Sequence, residues 1–272
     1  MKPLEMQPDW AESWKLSHRY DLMELWGDMR HRGYAYAYAN RRRATLALLG
    51  EVVAPGSRVL DMAAAQGNFS IALAELGYRV TWNDLRGELE AYVRLKHRTG
   101  EIRYAPGNAF ELHFDELFDA VLITEVIEHV AHPDEFLRNA AKLVRPGGYL
   151  IMTTPNGAYF RNRLPRFSEC ADPARFEAVQ FKPDADGHIF LLHPDELPLL
   201  AAKAGLAIDR FDLFTNPLTN GHVKTERLLR LLPHRWVDTA ERLSQQVPGF
   251  IGRKLLVQMG VRFRQRSAAA HC

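Results

Sequence analysis

Cysteine is scarce in this chain, with only Cys170 and Cys272 among 272 residues. Two thiols so far apart do not form the dense pattern of a small secreted domain that disulfides stabilise. The first residues mix charge with tryptophan and contain no apolar stretch of signal-peptide length. We therefore expect a cytoplasmic protein whose stability depends on an apolar core.

Long apolar runs and an excess of one charge are also missing. No run of 18 apolar residues occurs, so we expect no membrane-spanning helix. The net charge is only +2, from 35 basic and 33 acidic residues. Proteins that bind nucleic acids usually carry a strongly basic face, so the near-neutral balance argues against such a partner. A hydrophobic content of 47% is ordinary for a globular enzyme.

The most informative segment is RVLDMAAAQGNFS, at residues 58–70. It predicts a short buried strand that ends at Asp61, a turn of small residues, and the start of a helix. Asp84 ends the next apolar run, where a carboxylate can accept hydrogen bonds from both hydroxyls of a ribose. In open α/β folds, such turns lie at the carboxyl edge of the sheet, where nucleotide-like ligands bind. The turn contains Ala63, Ala65 and Gly67.

These residues resemble motif I and the following acidic position of the class I S-adenosylmethionine-dependent methyltransferases, although two of the three glycines of that motif are alanines here. The resemblance continues through residues 118–156, which are similar to strand 4, the following helix, the glycine turn and strand 5 of the family, and through the segment from His188. It implies an α/β, Rossmann-like fold. The expected sheet has seven mostly parallel strands, helices on both faces and an antiparallel last strand. S-adenosylmethionine is the implied cofactor.

The resemblance also implies how the chain is organised. The aromatic-rich N-terminus is expected to form a helical lid, although its rings would serve equally well to pack helices onto the core. The apolar stripes of the helical insertion are expected to pack on the core or on a second copy of the chain, so a homodimer stays open. The predicted parts are the lid 1–40, the cofactor-binding core 41–215 with a substrate-cap insertion at 157–187, the helical insertion 216–250, and the last strand and tail 251–272.

The similarity to ubiquinone-biosynthesis O-methyltransferases assigns further cofactor residues. Arg43, or its neighbour Arg42, has the spacing to reach the carboxylate of the cofactor, although three consecutive arginines also fit a solvated face. Asn108 and Ala109 fall in the expected adenine pocket, where an amide oxygen can still accept a hydrogen bond. The full predicted cofactor set is Arg43, Asp61, Ala63, Ala65, Gly67, Asp84, Asn108, Ala109, Thr124 and Glu125.

The predicted catalytic residues are Glu128, His129 and His188. His129 is a candidate general base, because histidine titrates near neutral pH. The pattern E-x-x-E-H at 125–129, together with His188, also resembles the metal site of small-RNA 2'-O-methyltransferases. A divalent metal such as Mg²⁺ would there hold the acceptor hydroxyls and lower their pKa. In the third interpretation the glutamates cap a helix and the histidine packs.

The leading hypothesis is an S-adenosylmethionine-dependent O-methyltransferase of biosynthesis. Its acceptor would be the hydroxyl of a small molecule such as a sugar, a phenol or a secondary metabolite. A metal-dependent RNA 2'-O-methyltransferase is the first alternative, which the near-neutral charge opposes. A cofactor-binding pseudoenzyme is the second, because two motif glycines are replaced.

Overall fold

The seven strands of the protein form one sheet in a computed structural model that describes residues 1–26, 31–180, 187–220 and 225–266. The strands are β1 Arg58–Met62, β2 Arg79–Asn83, β3 Glu101–Tyr104, β4 Phe118–Thr124, β5 Val144–Pro155, β6 Leu206–Phe214 and β7 Gln258–Gln265. Their order is β3-β2-β1-β4-β5-β7-β6. All neighbours pair in parallel except β7, which runs antiparallel to β5 and β6. The predicted Rossmann-like fold is confirmed.

Helices cover both faces of this sheet. They are α1 Glu12–Glu24, α2 Arg32–Gly50, α3 Asn68–Glu75, α4 Leu89–Lys96, α5 Pro133–Lys142, α6 Leu197–Lys203, α7 Glu226–Leu231, α8 His234–Ser244 and α9 Gly249–Leu255. Side chains of β4 alternate between the two faces, as a strand requires. Val121 and Ile123 join the core under α5 and α6, whereas Ala120 and Leu122 join the core with α2 and α3. A strand that is buried on both faces has a continuous apolar run in the sequence, which made β4 recognisable as a strand.

A buried ion pair holds α1 against the core. Lys96 Nζ on α4 lies 2.8 Å and 3.0 Å from the two carboxylate oxygens of Asp21, and both side chains are 2% exposed. Tyr92 donates its hydroxyl proton to the same carboxylate, and Asn68 accepts from the ammonium group. An unpaired charge at this depth would cost several kcal/mol, so the pair fixes where α1 lies.

The tyrosines of the N-terminal region lie in α2 and not in an extended segment. At 100° per residue, Tyr34 and Tyr38 share one face of the helix while Tyr36 points to the opposite face. Tyr36 packs with Leu229 and Val237 of the helical insertion. Tyr34 and Tyr38 face the cavity that is described below. Tyr36 therefore packs helices together, whereas Tyr34 and Tyr38 line the cavity.

The insertion between β6 and β7 contains three helices. Residues 251–255, which fall within the predicted last strand and tail, instead complete α9, and β7 begins at Gln258. The reason is local: Pro248 starts a helical turn, and pairing with β5 begins only where Pro155 faces Gln258. Residues 267–272, including Cys272, lie outside the described residues, as do 27–30 of the predicted lid and 181–186 of the predicted cap.

None of the helices in the described parts of the chain is both long and apolar enough to cross a membrane.

We expect Lys96→Met to lower the free energy of unfolding by about 3 kcal/mol, because it leaves the Asp21 carboxylate buried without its partner. Urea denaturation measures this loss. Lys15→Met is the matched control, since the ion pair of Lys15 with Glu12 lies at the surface and exposed pairs contribute little. Equal effects of the two substitutions would contradict the structural role of the buried pair.

Candidate active site

A cavity of about 1100 Å³ opens where β1, β2 and β4 end. This is the edge of an open α/β sheet at which ligands bind. Side chains from α1 and α2 line one side, the turn after β1 and the end of β4 form the floor, and residues from the predicted cap close another side. Among the predicted site residues, the cavity is lined by Ala63, Ala65, Asp84, Thr124, Glu125, Glu128, His129 and His188.

The turn after β1 keeps a left-handed backbone despite its alanines. The φ angles are 53° at Ala63, 46° at Ala65 and 71° at Gly67. A residue with a side chain is strained in this region by about 1 kcal/mol. Gly67 must remain glycine for a second reason, since a Cβ there would lie 2.7 Å from Val93 Cγ1. The turn therefore holds a left-handed backbone at both alanines as well as at Gly67.

Asp84 is fixed at the end of β2. It is 3% exposed. One carboxylate oxygen accepts the N–H of Ala65 at 2.8 Å, and the other accepts the N–H of Arg86 at 2.9 Å. The Arg86 side chain adds a contact at 3.1 Å. The carboxylate thus ties the turn to the next strand at the edge of the cavity.

Asp61 lies beneath the turn and does not line the cavity. It accepts a hydrogen bond from Ser70 Oγ at 2.5 Å, and its other oxygen is buried without a partner. Desolvation raises the pKa of this carboxyl to about 7, and the Ser70 hydrogen bonds lower it only in part. Asp61 and Gly67 are therefore buried residues that stabilise the turn and do not line the cavity.

Arg43 does not lie where the sequence analysis expects it. Its side chain is 45% exposed and pairs with Asp238 of α8, outside the cavity. Arg41 lines the cavity instead, because two residues along a helix turn the side chain by about 200°. Its guanidinium lies 3.1 Å from Glu125 and 3.6 Å from Glu24. Arg42, the other expected arginine, is also absent from the lining.

Asn108 and Ala109 are likewise outside the cavity lining. The Asn108 side chain is used locally, since it donates to Glu111 at 2.8 Å and accepts from the N–H of Phe110. Ala109 is buried in the apolar core. The prediction that these two residues form the adenine pocket is therefore not supported by their placement.

Glu128 is a fully buried acid at the floor of the cavity. It sits in the short 3₁₀ helix Ile127–His129 that follows β4. One oxygen accepts from Thr154 Oγ1 at 2.9 Å, and the other has no partner. Desolvation, with Glu125 nearby, raises the pKa of this carboxyl well above its usual range. Burial therefore shifts this carboxyl towards its protonated form.

His129 and His188 meet edge to face, with ring centroids 5.0 Å apart. The ligating atoms of Glu128, His129 and His188 lie within 4.8 Å of one another. Glu125, the fourth residue of the predicted metal set, is not in this group, and its carboxylate pairs with Arg41. The structure therefore brings together three of the four residues.

Glu24, Gln66 and Asn68 line the cavity and were not predicted as site residues. Gln66 and Asn68 could have been identified as site residues from their place in the motif I segment. Glu24 could not, because only the packing of α1 on the core brings it to the site.

Residues 29–210 match the model of a family described as a methyltransferase domain. This chain belongs to that methyltransferase family. The family predicted from the motifs is thereby confirmed.

Two curated relatives of this methyltransferase are ubiquinone biosynthesis O-methyltransferases. The protein from Caulobacter sp. (strain K31) is 35% identical over 171 residues, which cover 60% of this chain and 65% of the relative. The protein from Shewanella halifaxensis (strain HAW-EB4) is 31% identical over 170 residues, which cover 61% and 70%. The match with the Caulobacter protein thus spans slightly less than two thirds of its length.

Solved structures share the fold of this methyltransferase at low identity. An S-adenosylmethionine-dependent methyltransferase from Mesorhizobium loti superposes with a TM-score of 0.55 at 17% identity, covering 87% of this chain and all of that one. Magnesium protoporphyrin IX methyltransferase from Synechocystis PCC 6803, solved with S-adenosylhomocysteine (SAH), gives 0.54 at 13% identity, covering 94% of each chain.

The pKa of Asp61 predicts how stability changes with pH. An unfolded aspartate titrates near 3.9, whereas folded Asp61 titrates at about 7. The folded state therefore binds the proton more tightly, and the resulting stability is lost as pH rises from about 4 to about 7. The shift corresponds to about 4 kcal/mol. We expect Asp61→Asn to remove this part of the pH dependence in urea denaturation, whereas Asp115→Asn, at an exposed position, should retain it.

Proposed function

We propose that the chain is an S-adenosylmethionine-dependent O-methyltransferase that acts on the hydroxyl of a small molecule. One observation carries this proposal: a single cavity is lined by the left-handed turn, by Asp84 and by a cluster of one buried acid and two histidines. The first two features suit a nucleoside-containing cofactor, and the cluster suits proton transfer from an acceptor. The curated relatives are named as O-methyltransferases, which supports a hydroxyl acceptor.

Within the described residues, two buried polar atoms without hydrogen-bond partners support the binding of the cofactor in this cavity. Arg41 Nε and one oxygen of Glu125 are buried without a partner and lie where the cavity ends at β4. A carboxylate and an ammonium group on a ligand would satisfy both atoms. Asp84 would accept the ribose hydroxyls, and the turn at 63–67 would pass beneath the amino-acid part. When bound, S-adenosylmethionine would supply an electrophilic methyl group on its sulfonium.

His129 is the proposed general base. Methyl transfer to a hydroxyl requires an in-line approach and removal of the hydroxyl proton, and a base contributes about 10²- to 10⁴-fold to such steps. His129 lies at the rim of the cavity, next to the buried carboxyl of Glu128, whose pKa is raised by desolvation. The cap segment adds Asn162, Arg163 and Val179 to the lining, so we assign it the role of roofing the acceptor.

A divalent metal at Glu128, His129 and His188 is the second candidate for activating the acceptor. Its support is the 4.8 Å grouping of their ligating atoms. Two imidazoles and one carboxylate suit zinc or another transition metal better than Mg²⁺, which prefers oxygen ligands. The metal would lower the pKa of a bound hydroxyl. This arrangement also underlies the RNA 2'-O-methyltransferase alternative, which the near-neutral charge still opposes. Since the turn holds a left-handed backbone at both alanines, the replaced glycines no longer favour a pseudoenzyme.

We expect SAH to bind the purified chain in isothermal titration calorimetry, and Asp84→Ala to weaken this binding at least about fivefold. The reason is that one carboxylate would serve two ribose hydroxyls, and each such hydrogen bond contributes about 1 kcal/mol. Asp115→Ala, at an exposed position, is the control. Unchanged affinity in Asp84→Ala, with an unchanged melting temperature, would contradict the assigned role of Asp84.

We expect His129→Ala to lower methyl transfer about 100-fold while leaving the affinity for SAH unchanged, because the base acts only on the acceptor. Release of SAH is measured with a panel of catechols, phenols and sugars. His188→Ala separates the two mechanisms. A small effect of His188→Ala and no effect of a chelator favour the base, whereas equal losses for both histidines and inhibition by a chelator favour the metal.

A further inference from the structure

The carboxylate of Glu24 is buried inside the cofactor cavity although Glu24 belongs to the lid helix α1. Its side chain is only 6% exposed. One oxygen accepts hydrogen bonds from Gln66 Nε2 at 3.1 Å and Asn68 Nδ2 at 2.9 Å. The other accepts from the Tyr34 hydroxyl at 3.2 Å and lies 3.6 Å from Arg41. Four donors from three elements therefore converge on one carboxylate.

These donors are arranged as a site for a carboxylate, whichever molecule supplies it. Gln66 and Asn68 are on the turn and at the start of α3, beside the proposed position of the amino-acid part of the cofactor. Arg41 adds a positive charge that is 13% exposed. Charge-assisted hydrogen bonds of this kind are among the strongest in proteins. Desolvation raises the pKa of Glu24, and the charge of Arg41 and the hydrogen bonds from Asn68 and Tyr34 oppose this rise.

We propose that Tyr34, Arg41, Gln66 and Asn68 form the binding site for the carboxylate of an amino-acid-bearing nucleoside, and that Glu24 occupies this site when the ligand is absent. The inference rests on the proposed function, because it takes S-adenosylmethionine and SAH as the ligands. Glu24 is then an internal competitor of the ligand that the chain carries on its own lid.

The lid can release Glu24 without leaving the core. Glu24 is the last residue of α1, and the buried pair of Asp21 with Lys96 holds the preceding turn. Fraying of the last helical turn or a rotamer change is enough to withdraw one side chain. Because the site is available only while Glu24 is withdrawn, the apparent affinity for the ligand is the intrinsic affinity multiplied by the fraction of time that Glu24 spends withdrawn.

Two other roles for Glu24 predict different changes in ligand affinity. If its carboxylate accepted hydrogen bonds from the ammonium group of the ligand, removing its charge would weaken binding. If Glu24 only closed the lid, every ligand of the cavity would be affected alike. The two roles and the proposed competition therefore differ in which ligands respond and in which direction.

Calorimetry with two ligands tests the proposal. SAH carries the amino-acid carboxylate, whereas 5'-methylthioadenosine is the same type of nucleoside thioether without the amino-acid group. We expect Glu24→Gln to raise the affinity for SAH about tenfold and to change the affinity for 5'-methylthioadenosine less than about twofold, because an amide competes poorly for four donors. Glu12→Gln, at an exposed position on the same helix, should leave both affinities unchanged.

Weaker binding of SAH to Glu24→Gln, or equal changes for the two ligands, or no change for either would overturn the inference while leaving the cofactor site intact. No binding of either ligand to any variant would instead overturn the proposed function. Glu24→Asp covers the case in which Glu24→Gln fails to fold, since it keeps the charge but draws the carboxylate back by one methylene. We expect it also to raise the affinity for SAH alone.

Discussion

The buried pair of Lys96 and Asp21 is the interaction on which the site depends, because it joins the N-terminal helix to the core. From this pair a polar chain leads through Asn68 and Glu24 to Arg41, and then to Glu125 at the end of β4. Each member lies on a different element from the one before it. Helix α1, the turn after β1 and the end of β4 are therefore positioned by one connected set of charged and polar side chains rather than by apolar packing alone.

Burial divides the acids of this region into two kinds. Asp61 and Glu128 have no cationic partner and few hydrogen-bond donors, so desolvation favours their neutral forms. Asp84 accepts two backbone N–H groups and a contact from Arg86, an arrangement that suits a carboxylate. The same chemical group can thus serve as a structural acid beneath the turn, a buried neighbour of the proposed base, and the proposed acceptor for a ribose.

The order of strands and helices was predictable because β1, β4 and the motif I turn are local signals in the sequence. The position of the Arg43 side chain was not predictable, because a run of three arginines does not reveal which one faces the cavity until the rotational phase of α2 is known. Asn108 was predicted to line the adenine pocket, but its short polar side chain forms hydrogen bonds within its own loop. Such bonds depend on local geometry, which the sequence does not reveal. Glu24 could not be found from sequence, because its role arises from the packing of a distant helix.

The charges around Arg41 explain why an amino-acid ligand suits this cavity. The guanidinium lies between the carboxyl groups of Glu24 and Glu125, so two acidic side chains flank one basic side chain. A ligand carboxylate that replaces Glu24 leaves this local balance unchanged, and its ammonium group can then face Glu125. A neutral nucleoside would leave Glu24 in place, whereas a phosphate would add charge beside Glu125. The electrostatics of the pocket therefore favour a zwitterion over either alternative.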